Sequence, residues 1–146
     1  MTEYSKQLAY TKVPIKNQRW LLETAIDAAK DEGYDISALN RDCLQLIDNM
    51  LKKIQRGTAK LPNSQRLEIA QGAAIEYAAA IIAIVENETQ TSGQWYYHHK
   101  KFGKDTFPYV LGEKTIFPYV WALKTIQTPT SDSVKIKYEQ IINATG

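Results

Sequence analysis

The stretch PNSQRLEIAQGAAIEYAAAIIAIVENE, residues 62–88, decides the fold. Ala70, Ala73, Ala74, Ala78, Ala79, Ala80 and Ala83 are strong helix formers with short side chains, and Gly72 adds another small surface. Pro62 with Asn63 or Ser64 opens the helix. Leu67, Ile75, Ile81, Ile82, Ile84 and Val85 surround the small residues on more than one face, which predicts a central, buried helix. Its apolar run, 69–85, is broken by Gln71 and Glu76 and falls short of the roughly 20 clean residues that a membrane span needs. No membrane partner is expected. Glu76 is expected to pair with Arg19, Arg41 or Arg66.

Two further helices precede it. Leu39, Cys43, Leu46, Ile47, Met50, Leu51 and Ile54 form an apolar stripe, so a helix is predicted over 37–56, N-capped by Ser37 and ended by Gly57. Trp20, Leu21, Thr24, Ala25, Ala28 and Ala29 share a face of a helix over 17–32, with Gly33 as the C-terminal stop. Residues 1–16 have no helical period, and Pro14 pushes Val13 toward extended geometry. They read as an arm that lies on its own domain or on a neighbouring copy.

Residues 89–94 are a polar linker, and the composition then changes. The window 95–121 holds 9 of the 15 aromatic residues, both histidines and all three phenylalanines. Within it Phe107-Pro108-Tyr109-Val110 returns as Phe117-Pro118-Tyr119-Val120. Val110-Leu111, Gly112-Glu113 and 114–117 suit two short antiparallel strands around a tight turn, the strands presenting equivalent residues. Pro108 and Pro118 each lack a hydrogen-bond donor and belong at strand ends or edges. Residues 121–126 continue as a strand or a helical turn; 128–133 read as a loop and 134–142 as a short helix or strand.

The chain is thus expected to be α-rich (α+β): a three-helix core over 17–88 with an extended N-terminal arm and a C-terminal β-hairpin or small sheet over 95–126. Residues 127–146 add a loop and a short element. A single domain of 146 residues buries roughly 68 to 70% of its unfolded surface, enough for a core without staples. The lone Cys43 forms no intramolecular disulfide, and residues 1–20 carry no apolar leader, so a cytoplasmic setting, or incorporation in a virion, is expected.

Net charge divides as −1 over 1–94, +3 over 95–126 and 0 over 127–146. The basic excess therefore falls on the aromatic window. His98 and His99 are adjacent, so their side chains diverge and make poor joint ligands for one metal. The isolated glycines fit no nucleotide-binding loop. A helical carboxylate metal site needs Glu-x-x-His pairs, and the helical region has no histidine. No catalytic residue, metal ligand or cofactor is expected.

Interaction chemistry remains. Trp95, Tyr96, Tyr97, His98, His99, Lys100 and Lys101 interleave rings with cations. Phe107, Tyr109, Phe117, Tyr119 and Trp121 add rings beside stiff prolines, and together these twelve residues form the expected partner-binding surface. The leading expectation is a non-enzymatic assembly protein, a small structural or accessory subunit of a phage particle or mobile element that oligomerises or docks on a larger partner. The alternatives are a nucleic-acid-binding accessory protein using 95–104, where bases would stack on rings, and a small inhibitor or immunity protein that binds one partner.

Overall fold

The computed structural model describes residues 12–97, 106–128 and 133–142. The elements are α1 (Ile15–Asp31), α2 (Cys43–Thr58), α3 (Asn63–Thr89), β1 (Gln94–Trp95), β2 (Tyr109–Leu111), β3 (Lys114–Ile116), α4 (Pro118–Gln127) and α5 (Val134–Ile141). The fold is α-rich α+β, with a small antiparallel sheet near the C-terminus. α3 is its axis, 27 residues or about 40 Å long, and α1, α2 and α4 all pack on it. Among the described residues it is the one helix long and apolar enough to cross a bilayer. Ten of its side chains are buried in this chain's own core.

Each predicted helix is present, with altered ends. α1 stops where Gly33 adopts φ +89, a left-handed conformation that only glycine enters without strain. Gly33 N–H donates to the Lys30 carbonyl at 2.9 Å and Tyr34 N–H to that of Ala29 at 2.8 Å, a Schellman closure. α2 begins at Cys43, not near Ser37, because Ser37 is already engaged: its N–H and Oγ donate to Asp35 Oδ1 at 2.9 and 2.6 Å. Leu39 then takes φ +49, which breaks any helix through it. At the other end α2 runs past Gly57 to Thr58, whose hydroxyl donates back to the Ile54 carbonyl at 2.8 Å.

The expected hairpin forms, pairing Tyr109 with Ile116, Val110 with Thr115 and Leu111 with Lys114. β1 adds a third strand through Gln94 with Val110 and Trp95 with Tyr109. The described end of the N-terminal arm lies on this sheet: Lys12 bridges Tyr96, and Val13 N–H donates to the Trp95 carbonyl at 2.9 Å. Residues 1–11 lie outside the described residues.

The two copies of Phe-Pro-Tyr-Val do different things, which corrects the expectation of strands bearing equivalent residues. The first runs into β2. The second opens α4, with Phe117 as N-cap and Pro118 at the first helical position, where a missing N–H has no helical partner to lose. Residues 121–126 are accordingly helical, and α5 is a helix. The aromatic region is also built into the core. Trp95, Tyr109, Ile116, Tyr119 and Trp121 belong to one apolar core with Ala78, Ile81 and Ile84 of α3 and Leu44 and Ile47 of α2. Large rings fill the room that alanine leaves on α3.

Glu76 is in no ion pair with a described residue, and burial pushes its carboxyl above the usual range. Arg41 bonds Glu139 instead, through Nε at 2.8 Å and a terminal nitrogen at 2.5 Å, and Arg66 bonds the Asn63 amide oxygen. Next to Glu76, the buried Tyr77 hydroxyl has no hydrogen-bond partner among the described residues. Burial, then the charges of Glu76 and Glu32, push its pKa upward. An unsatisfied buried hydroxyl costs about 1–3 kcal/mol. Tyr77→Phe is therefore expected to raise the unfolding free energy by about 1 kcal/mol in urea titration. A loss of stability would assign the hydroxyl a bonded role.

Candidate functional site

The twelve residues singled out in the sequence separate into three groups. Trp95, Tyr109, Tyr119 and Trp121 are buried in the core. Tyr96, Tyr97, Phe107 and Phe117 are half-buried. His98, His99, Lys100 and Lys101 lie outside the described residues.

The buried rings are fixed by more than packing. Tyr109, 1% exposed, donates its hydroxyl to Glu86 Oε1 at 2.6 Å and accepts from Gly93 N–H at 2.7 Å. One side chain thus ties α3, the linker and β2 together. Burial, then the Glu86 carboxylate, raises its pKa. Trp95 Nε1 donates to the Phe107 carbonyl at 2.9 Å. Phe107 holds φ +46, a region that bulky residues seldom enter, and its ring meets Trp95, Tyr97 and Tyr119 at centroid distances of 6.4, 6.1 and 4.8 Å. This arrangement braces the sheet against the helices. A base could not stack on Trp95, Tyr109, Tyr119 or Trp121 without opening the core.

The exposed chemistry is elsewhere. On α1, Ala25 and Ala29 are buried against α3, and the opposite side carries Trp20, Glu23, Asp27 and Asp31 at helical spacings of three and four, with Lys16 and Lys30 among them. Trp20 is 63% exposed. Glu23, Asp27 and Asp31 form no ion pair with a described residue, whereas Glu32 bonds Lys53 at 2.5 Å.

A second surface lies where α2 ends and α3 begins. The first two turns of α3 stand clear of the body, leaving Leu67 and Ile69 each 43% exposed. Beside them is a groove of about 690 Å³ whose lining includes the apolar Leu67, Ala70 and Ile126 and the basic Arg56 and Arg66. Among the described residues no carboxylate lines it, and the first turn of α3 contains no acidic residue. The sequence did carry a signal for this corner. Between Asp48 and Glu68 there is no acid, while Lys52, Lys53, Arg56, Lys60 and Arg66 fall in that interval. Summing charge over 1–94 conceals it, because Glu68, Glu76, Glu86 and Glu88 follow within 68–94 and residues 1–48 carry two more acids than bases.

Among the described residues no group of three or more His, Cys, Asp and Glu side chains is placed to hold a metal ion. Comparisons with protein-family models, with curated proteins and with solved structures give no match for this chain.

Proposed function

We propose that the protein is a non-enzymatic interaction subunit that oligomerises or docks on a larger partner, as the small accessory subunits of virus particles and mobile elements do. The observation that carries this reading is the outer face of α1. A tryptophan left 63% exposed on a face with Glu23 and Asp27, which form no ion pair with a described residue, and with Lys16 and Lys30, has the composition of an interface anchor with a polar rim. It replaces the aromatic window as the leading contact surface, since four of that window's rings serve the core.

A photoreactive benzoylphenylalanine in place of Trp20 tests the reading in the native cell. Irradiation is expected to give a discrete adduct of higher mass at this exposed position. The same probe at Ile69 samples the other exposed surface. Absence of any adduct from both positions would overturn the proposal.

A further inference from the structure

We infer that the groove at the α2–α3 corner receives the outer face of α1 from a second copy of this chain, with Trp20 as the anchor. The inference rests on the interaction reading above and names its partner. Two surfaces on one molecule are complementary in apolar character and, between Glu23 and Asp27 on one and Arg56 and Arg66 on the other, in local charge, although Lys16 and Lys30 also lie on the α1 face. The groove is lined by the apolar Leu67, Ala70 and Ile126 together with Arg56 and Arg66. The α1 face offers one large ring followed by Glu23 and Asp27, one turn apart and about 5–6 Å from each other. A tryptophan side chain brings roughly 150–250 Å² of surface to bury. At about 690 Å³ the groove has room for it.

Charge selects this occupant over others. Arg56, Lys60 and Arg66 form no ion pair with a described residue, and Asn63 engages Arg66 through a neutral amide that leaves its charge uncancelled. An anionic occupant is favoured, and it must also be apolar to cover the apolar lining. Among the described residues no aromatic side chain lines the groove, so a nucleic acid would find phosphate contacts there without a stacking platform. The α1 face supplies both the acids and the ring.

The contact cannot form within one molecule. Leu22 of α1 lies beside Ala79 of α3, nine residues and about 14 Å along the helix from Ala70 in the groove. Each copy therefore presents one donor face and one acceptor groove. Contacts between unlike patches join copies head to tail, closing into a ring or running on as a filament.

Sedimentation velocity of the full chain over micromolar to millimolar concentrations tests this. The wild type is expected to associate reversibly, and more weakly in added salt. Trp20→Ala, and separately the pair Arg56→Glu with Arg66→Glu, should each raise the dissociation constant at least about tenfold. All three side chains are exposed, so thermal melts followed by circular dichroism should stay close to wild type. A second charge-reversed protein carries Glu23→Arg and Asp27→Arg. Neither reversed protein should self-associate, yet a mixture of the two should.

A wild type that stays monomeric, association indifferent to these substitutions, or a mixture that fails to recover would each overturn self-docking. If the purified chain is monomeric while position 20 cross-links to a different protein in cells, the interaction reading stands and the second copy is the wrong partner. If neither occurs, both fail.

Discussion

Asp48→Ala is expected to lower the unfolding free energy by roughly 2–3 kcal/mol and to loosen α5 before the rest of the chain. Asp48 sits on α2 and is 1% exposed. Its Oδ1 accepts from Val134 N–H at 2.8 Å and its Oδ2 from Lys135 N–H at 3.0 Å. These are first-turn donors of α5, which have no partner within their own helix. An eight-residue helix is unstable by itself, so α5 exists through what it docks on. Ser133 caps it locally, accepting from Ile136 N–H at 3.3 Å, but Asp48 is the polar link to α2. Alanine would leave the buried Val134 N–H without an acceptor, and the part-buried Lys135 N–H with only water from the open cavity that Asp48, Ser133 and Lys135 line. Bonds to a charged acceptor contribute about 1.5–3 kcal/mol each.

The sum is smaller than twice that figure because the carboxylate itself is desolvated. Burial pushes the Asp48 pKa above its ordinary value, against the lowering effect of the Lys135 and Val134 N–H groups and the Ser133 hydroxyl. A carboxyl with a higher pKa folded than unfolded binds its proton more tightly in the folded state. Stability therefore falls as pH rises from the ordinary carboxylate pKa through the raised one, and the loss is complete above it. Asp48→Asn should remove that slope while still losing one acceptor. Urea titration at two pH values and amide exchange in α5 measure both effects. A change below about 0.5 kcal/mol for Asp48→Ala, the scale of an ordinary surface substitution, would refute the tie.

Gly93→Ala should be the most damaging glycine substitution among the described glycines, at about 3 kcal/mol or more. A Cβ there would lie 2.3 Å from the Val110 carbonyl oxygen, 2.7 Å from Tyr109 Cζ and 2.8 Å from Tyr109 Oη. None of these can yield cheaply. The Val110 oxygen belongs to backbone held between β1 and β3. Tyr109 is pinned by Glu86 and by the Gly93 N–H itself. Relief of the overlap would break the Tyr109 hydrogen bonds or part β1 from β2. Gly72→Ala is the opposite case. It lies within α3, exposed, with nothing within 4 Å of a new Cβ. Alanine there should stabilise by about 0.5–1 kcal/mol. Thermal melts of the two variants should shift in opposite directions; equal shifts would contradict the close approach at Gly93.

The contrast between these two glycines also marks what sequence can convey. Gly72 was legible as a small residue in a helix because periodicity is local. Gly93 read as linker because the atoms that forbid a side chain come from Tyr109 and Val110, across a strand pair that no short-range pattern encodes. The hairpin was legible from turn chemistry at Gly112. The second Phe-Pro-Tyr-Val was not, since Pro suits a strand end and a helix start equally, and only the packing of Trp121 and Ala122 against the core decides between them. The aromatic window attracted attention by composition, but rings are also what an alanine-rich helix needs from its neighbours. On the exposed side, Trp20 was assigned to an inner face with Ala25 and Ala29. In the fold those two alanines turn inward and Trp20 turns out.

The bond from Asp48 to Val134 joins residues 86 apart in the chain. Closing so long a loop carries an entropic cost that early, local contacts within the helices do not. α5 should thus dock after the rate-limiting barrier, when α2, α3 and α4 are already assembled. Stopped-flow kinetics of Asp48→Ala would then show a nearly unchanged folding rate and faster unfolding. In that sense the tie acts as a latch: it sets how long the native state lasts, while the speed of reaching it is set elsewhere.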